Sequence, residues 1–238
     1  MTWQPKSAEL LRRLQRSTPA RIGVGRAGSR PTTAELLKLR LDHAAAVDAV
    51  YSEVPDELLA DMGWFAVDTS SGDKETYLKR PDLGRKLTAE AEAVLRSRCA
   101  MRPQVQIVVS GGLSAQAIEA NIRDIYPALL DSLRVLGLTW GTTFYVRNGR
   151  VACMDAIGEL LWPEVMVLLI GERPGLASAD SMSAYMGYNP RLGALESDRN
   201  VISNIHKRGT PPVEAGAHIG TVLQAMLDQR TSGTKLRI

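Results

Sequence analysis

Two short runs, VQIVVS (Val105–Ser110) and VMVLLI (Val165–Ile170), are almost wholly apolar, and each runs straight into glycine. A strand that is apolar on both faces must be covered on both, which places it inside a parallel sheet rather than in a half-solvated antiparallel one. Gly111 and Gly112 follow the first run, and then Ile118, Ile122, Ile125, Leu129, Leu133 and Leu136 recur at helical spacing. TTFYV, ending at the Asn148-Gly149 turn, reads as a further strand. NVISNI reads as another, followed by Pro211, Pro212 and a helix with Ala215, Ile219, Val222 and Met226 on one face, stopped at Gly233. Strands alternating with amphipathic helices predict an α/β fold, Rossmann-like or flavodoxin-like, with a mostly parallel sheet and right-handed crossovers.

The first part of the chain has a different character. Thr32 and Glu35 stand at capping-box spacing, and Leu37, Leu41, Ala44, Val47 and Tyr51 then recur every three or four residues on one face, predicting one long helix. Pro55 and Asp56 restart a short helix, Trp64 to Val67 reads as a small strand, and Thr88 to Cys99 as another helix. With the change at Pro103, the expected division is a mostly helical N-terminal region over residues 1–102 and a Rossmann-like domain over 103–238. The 238 residues suit one dominant core with a smaller appendage.

Composition narrows the function. The formal charge of +3 is spread as mixed signs, without the concentrated basic face that nucleic acid needs. Cys99 and Cys153, the two cysteines, offer neither a disulfide framework nor a metal-ligand spacing, which suits a reducing cytoplasm. The opening MTWQPKSAELLRRLQRST lacks the apolar centre of a signal peptide, and no stretch approaches the roughly 20 apolar residues of a membrane span. SAELLRRLQRS within it reads as an amphipathic helix, packed on its own domain or offered to a partner or compartment shell.

In sheets of the expected kind, ligands collect beyond the carboxyl ends of the strands. Three glycine-bearing segments fall there: SGGLSA, GERPG and SNIHKRGTPP. The first would offer unpaired backbone N–H groups at a helix start. In the second, Glu172 and Arg173 sit in a turn stiffened by Pro174, where Glu172 is placed to accept hydrogen bonds from ligand amides or to pair with a neighbouring base. The third carries Asn204, His206, Lys207 and Arg208; no nucleophile is placed beside His206, so a hydrogen-bonding or structural role outweighs acid–base catalysis. IGVGRAG has Gly23, Gly25 and Gly28 at GxGxxG spacing, but the strand before it is very short and Pro31 intervenes before the helix, so a structural turn or partner contact is the better reading.

Taken in order, ARIGVGRAGSRPTT, LDHAAAVDAV, YLKRPDLGRKL, IVVSGGLSA, FYVRNGRV, LLIGERPGL, SAYMGYNPR, SNIHKRGTPPVEAG and the closing SGTKL resemble the ethanolamine ammonia-lyase small-subunit family across nearly the whole chain. The resemblance implies a subunit of a hetero-oligomer with a large subunit, acting on ethanolamine to release acetaldehyde and ammonia, with adenosylcobalamin held between the subunits. It carries cobalamin contacts onto Val151 in NGRV, Glu172 in GERPG and Val201 in NVISNIH. It implies no catalytic residue on this chain. No DxHxxG motif is present, so no protein ligand to cobalt is expected.

Three positions depart from the family's pattern: Gly111 stands where Asp is expected in SDGLS, Val201 where some members have Cys, and Arg208 where Gly is usual. Restoring the acid by Gly111→Asp is expected to leave folding normal and to tighten or preserve cofactor binding. Packaging of the cytoplasmic enzyme in a bacterial microcompartment is an option the resemblance brings with it. Two rivals stay open: an assembly scaffold that no longer binds cobalamin, and an autonomous nucleotide- or flavin-binding oxidoreductase.

Overall fold

A computed structural model describes residues 5–18, 20–176 and 178–238. Residues 1–4, the opening of the segment read for a signal peptide, lie outside the described residues. The N-terminal part holds α1 (Ala8–Ser17), a hairpin of β1 (Arg26–Ala27) and β2 (Arg30–Pro31), α2 (Thr33–Tyr51), α3 (Asp56–Asp61), β3 (Ala66–Asp68), α4 (Lys74–Lys79) and α5 (Ala89–Arg98). There follow β4 (Val105–Ser110), α6 (Ala115–Val135), β5 (Phe144–Arg147), α7 (Cys153–Leu161), β6 (Val165–Gly171), β7 (Met182–Tyr188), β8 (Arg199–Ile205) and α8 (Pro212–Gln229).

Six strands form one sheet in the order β3-β5-β4-β6-β7-β8. The first four are parallel to one another, β7 runs antiparallel to β6, and β8 antiparallel to β7. Every residue of β4 and β6 is buried, as continuous apolar runs require. Alternate side chains feed two cores. Val105, Ile107 and Val109 of β4 and Val165, Val167 and Leu169 of β6 pack with α6 and α8. Val108, Met166, Leu168 and Ile170 face the other way, onto α5 and α7. The result is a helix–sheet–helix sandwich, the three-layer arrangement of doubly wound α/β proteins. No helix among the described residues is long and apolar enough to cross a membrane.

Several expectations need amendment. β3, which precedes Pro103, joins the sheet as an edge strand beside β5. β7 was not anticipated, and it interrupts the parallel run. α8 ends at Gln229, with Arg230 in the left-handed conformation closing it before Gly233. On α2, Thr32 Oγ1 accepts from the Glu35 amide as the cap predicts, and the apolar stripe of the helix is open: Leu41 is 70% exposed and Leu37 59%. Ala49 is the one buried residue of that helix among those described.

Candidate functional site

The carboxyl ends of β4, β5 and β6 lie on one side of the sheet, and strand direction brings the start of β7 and the end of β8 to that side too, where Met182 pairs with Ile205. The SGGL turn, the NGRV turn, GERPG and the SNIHKRG loop therefore converge. Between the first three lies a cleft of about 180 Å³, lined by Val151, Glu172, Arg150, Gly112, Ser183 and Tyr185 among others.

The turns are held by a small set of hydrogen bonds. Ser110 Oγ donates to the Val146 carbonyl at 2.8 Å and accepts from the Gly149 amide at 3.2 Å, joining the SGGL turn to NGRV. Tyr77 of α4 is wholly buried and donates from its hydroxyl to the Gly149 carbonyl at 3.1 Å; burial pushes its phenol up to about 12. Gly112 adopts a positive φ of 55°, and a Cβ there would lie 2.4 Å from the Gly171 carbonyl oxygen. Only glycine lets the two strand ends approach this closely.

Glu172 follows β6 directly, and its carboxylate is fixed at both oxygens. Oε2 accepts from Ser181 Oγ at 2.7 Å, while Oε1 accepts from Ser183 Oγ at 2.5 Å and from the Asn204 amide at 2.9 Å. An ionised carboxylate has about four lone-pair positions, so three protein donors leave roughly one for a ligand N–H. The third donor is presented by Asn204 at a positive φ of 60°. Its side-chain Oδ1 lies 2.9 Å from His206 Nε2, and His206 Nδ1 accepts from the Arg208 amide at 3.3 Å. With Nδ1 accepting, Nε2 must carry the proton and donate to Asn204. His206, 4% exposed, is thus a loop brace two steps behind Glu172.

Val151 and Glu172 come together in the cleft. Val201 does not line it; it is half exposed on β8, the register partner of Tyr185, which does. Sequence reasoning missed Arg150, Tyr77, Ser183 and Tyr185. The spacing of Ser181 and Ser183 two residues apart, at the start of β7, was the available signal for the hydroxyl pair.

The expectation for an aspartate at 111 is corrected here, whereas the structural-turn reading of IGVGRAG agrees with the structure. Gly111 donates its amide to the buried Tyr145 hydroxyl at 3.1 Å, and a Cβ at 111 would lie 2.7 Å from that oxygen. An aspartate at 111 therefore cannot enter without displacing Tyr145. The glycines of IGVGRAG open no strand-to-helix unit: Gly28 turns the exposed β1–β2 hairpin at a φ of 67°, and Gly23 lets the chain pass against Leu11 of α1. Among the described residues no cluster of three or more His, Cys, Asp or Glu side chains is arranged to hold a metal.

The sequence matches the family model of the ethanolamine ammonia-lyase light chain (EutC) over residues 8–237. The chain belongs to that family. It is 46% identical over 233 residues to the ethanolamine ammonia-lyase small subunit of Clostridium perfringens, covering 98% of this chain and 79% of that protein. It is 49% identical over 224 residues to the small subunit of Fusobacterium nucleatum, with 94% and 76% covered. For the small subunit of Clostridioides difficile the figures are 48% over 233 residues, with 98% and 80% covered. As a light chain, this protein carries the cleft on a fold whose parallel strand ends converge on one side.

Proposed function

We propose that this chain is the small subunit of an adenosylcobalamin-dependent ethanolamine ammonia-lyase, which with a large subunit converts ethanolamine into acetaldehyde and ammonia. The observation that carries the cobalamin assignment is the Glu172 carboxylate, held by three donors at the rim of the cleft with a lone pair to spare. A corrin is ringed by amide side chains, and a fixed carboxylate is a suitable acceptor for one of them. Val151 and Tyr185 line the same cleft beside it. The residues present therefore fit the edge of such a cofactor.

The size of the cleft supports a shared site. About 180 Å³ is below the roughly 300 Å³ at which pockets begin to enclose even drug-sized ligands, so most of a cobalamin would rest against the partner. Radical chemistry is supplied by the cofactor when bound. This chain's residues bind and orient: Glu172 takes an amide, Val151 and the Tyr185–Val201 pair offer apolar contact, and the packed turns keep water from that side of the site.

Glu172→Ala tests this reading. Loss of one hydrogen bond to a charged acceptor is worth about 1.5–3 kcal/mol, which corresponds to a rise of roughly 10- to 100-fold in the apparent KM for adenosylcobalamin. Subunit assembly, followed by size-exclusion chromatography, should be unchanged. An unaltered cofactor KM would remove Glu172 from the site.

A further inference from the structure

The loop that follows β8 is closed on itself around one imidazole. The Thr210 amide donates to the Asn204 carbonyl at 2.9 Å, the His206 amide to the Thr210 carbonyl at 3.1 Å and the Gly209 amide to the His206 carbonyl at 2.9 Å. Gly209 is required for the closure: a Cβ there would lie 2.2 Å from the Asn204 carbonyl oxygen and 2.7 Å from His206 Nε2. Within this frame the buried ring has both nitrogens committed, Nε2 donating to Asn204 Oδ1 and Nδ1 accepting from the Arg208 amide. Asn204, at its positive φ, in turn gives its own amide to Glu172 Oε1. The charged groups on the elements that meet the loop are Glu172 and Arg173 after β6, Asp180 before β7, Lys207 and Arg208 beside the ring, and Glu214 in the first turn of α8. No carboxylate pairs with the ring among the described residues.

An imidazole that accepts at Nδ1 is neutral. A proton added there turns the acceptor into a second donor facing the Arg208 N–H, and buries a charge with no carboxylate against it. The bond that fixes the ring is then lost, and with it a constraint that keeps Asn204 in the left-handed conformation, which costs free energy for residues other than glycine. We infer that His206 is a positioning residue for Glu172: as the neutral tautomer protonated at Nε2 it holds the Asn204 amide on the carboxylate, and on gaining a second proton it releases that amide. The grip of this chain on what Glu172 binds is therefore complete on the alkaline side of the imidazole's titration and weakens as pH falls through it. The inference rests on the reading of Glu172 as a cofactor contact.

The test is the apparent KM for adenosylcobalamin of the complex of this chain with its cognate large subunit, measured at about pH 8 and at about pH 6. The parent is compared with His206→Gln, whose amide nitrogen can keep the donor to Asn204 but which has no Nδ1 acceptor and no proton to gain. Taking the ratio of the two at each pH removes the pH dependence that the large subunit contributes. At the higher pH the variant's KM should lie about three- to tenfold above the parent's; at the lower pH the two should agree within about twofold, because the parent has by then lost the same bond. In a Glu172→Ala background, His206→Gln should change KM by less than about twofold at either pH. A ratio that stays constant with pH, or full additivity with Glu172→Ala, would overturn the inference. If Glu172→Ala alone leaves the cofactor KM unaltered, the cofactor reading of Glu172 fails, and the positioning role is decided by hydrogen exchange of residues 199–210 in the complex, corrected for intrinsic rates. Acid-enhanced exchange in the parent but not in His206→Gln upholds it, and equal pH dependence in both overturns it.

Discussion

Gly111 illustrates how one atom's position can decide what a residue is for. Its amide donates to the Tyr145 hydroxyl, and the place where a Cβ would sit is 2.7 Å from that same oxygen. Tyr145 is buried, and burial holds its phenol well above the usual range, so it stays neutral. Gly111→Asp should therefore cost about 1–3 kcal/mol by overpacking, and Tyr145→Phe about 1–3 kcal/mol by stranding the Gly111 amide. Urea unfolding of the double variant should show less than the sum, by roughly 1 kcal/mol, because the phenylalanine vacates the space the aspartate needs. Additive losses would mean that the two positions are not coupled. A motif comparison reads Gly111 as a missing carboxylate; the reason for the glycine lies 34 residues away on the neighbouring strand and is not visible in local sequence. Glu172 was legible because its stiff turn follows a buried strand, while the two serines and the Asn204 amide that fix it come from β7 and from a residue in the left-handed conformation on β8.

Periodicity served the elements unevenly. β4 was read to the residue, and β6 to within one, since a run apolar on both faces has few alternatives. α6 buries Ile118, Ile122, Ile125, Leu129 and Leu133 as its spacing predicts, although Leu136 falls at the cap and is part exposed. α2 has an equally regular pattern but little of its own chain against it, because periodicity reports that a face is apolar and not what covers it. The contrast can be measured in the isolated chain. Ile122→Ala should cost about 2–5 kcal/mol, whereas Leu41→Ser should change stability by less than about 0.5 kcal/mol; a comparable loss at both would show that α2 is packed. α7 escaped the reading because CMDAIGELL is buried on almost all sides and has no polar stripe to reveal its period. β7 escaped it because Gly187 and mixed polarity blur its alternation.

At the scale of the molecule, the direction of each strand matters more than its sequence. Four parallel strands point their carboxyl ends the same way, and β7 and β8, by reversing twice, return the SNIHKRG loop to that side. Segments from Tyr77 to Tyr185 thereby line one cleft, and Asn204 braces Glu172 from behind it. The cleft is too small to enclose a large cofactor by itself, which matches a chain whose family is that of a light subunit. The measurement that tests this account most directly is ethanolamine-dependent acetaldehyde release with adenosylcobalamin, comparing this chain alone, the cognate large subunit alone, and the two combined. The account predicts acetaldehyde only from the combination; a stable complex that releases none would contradict it.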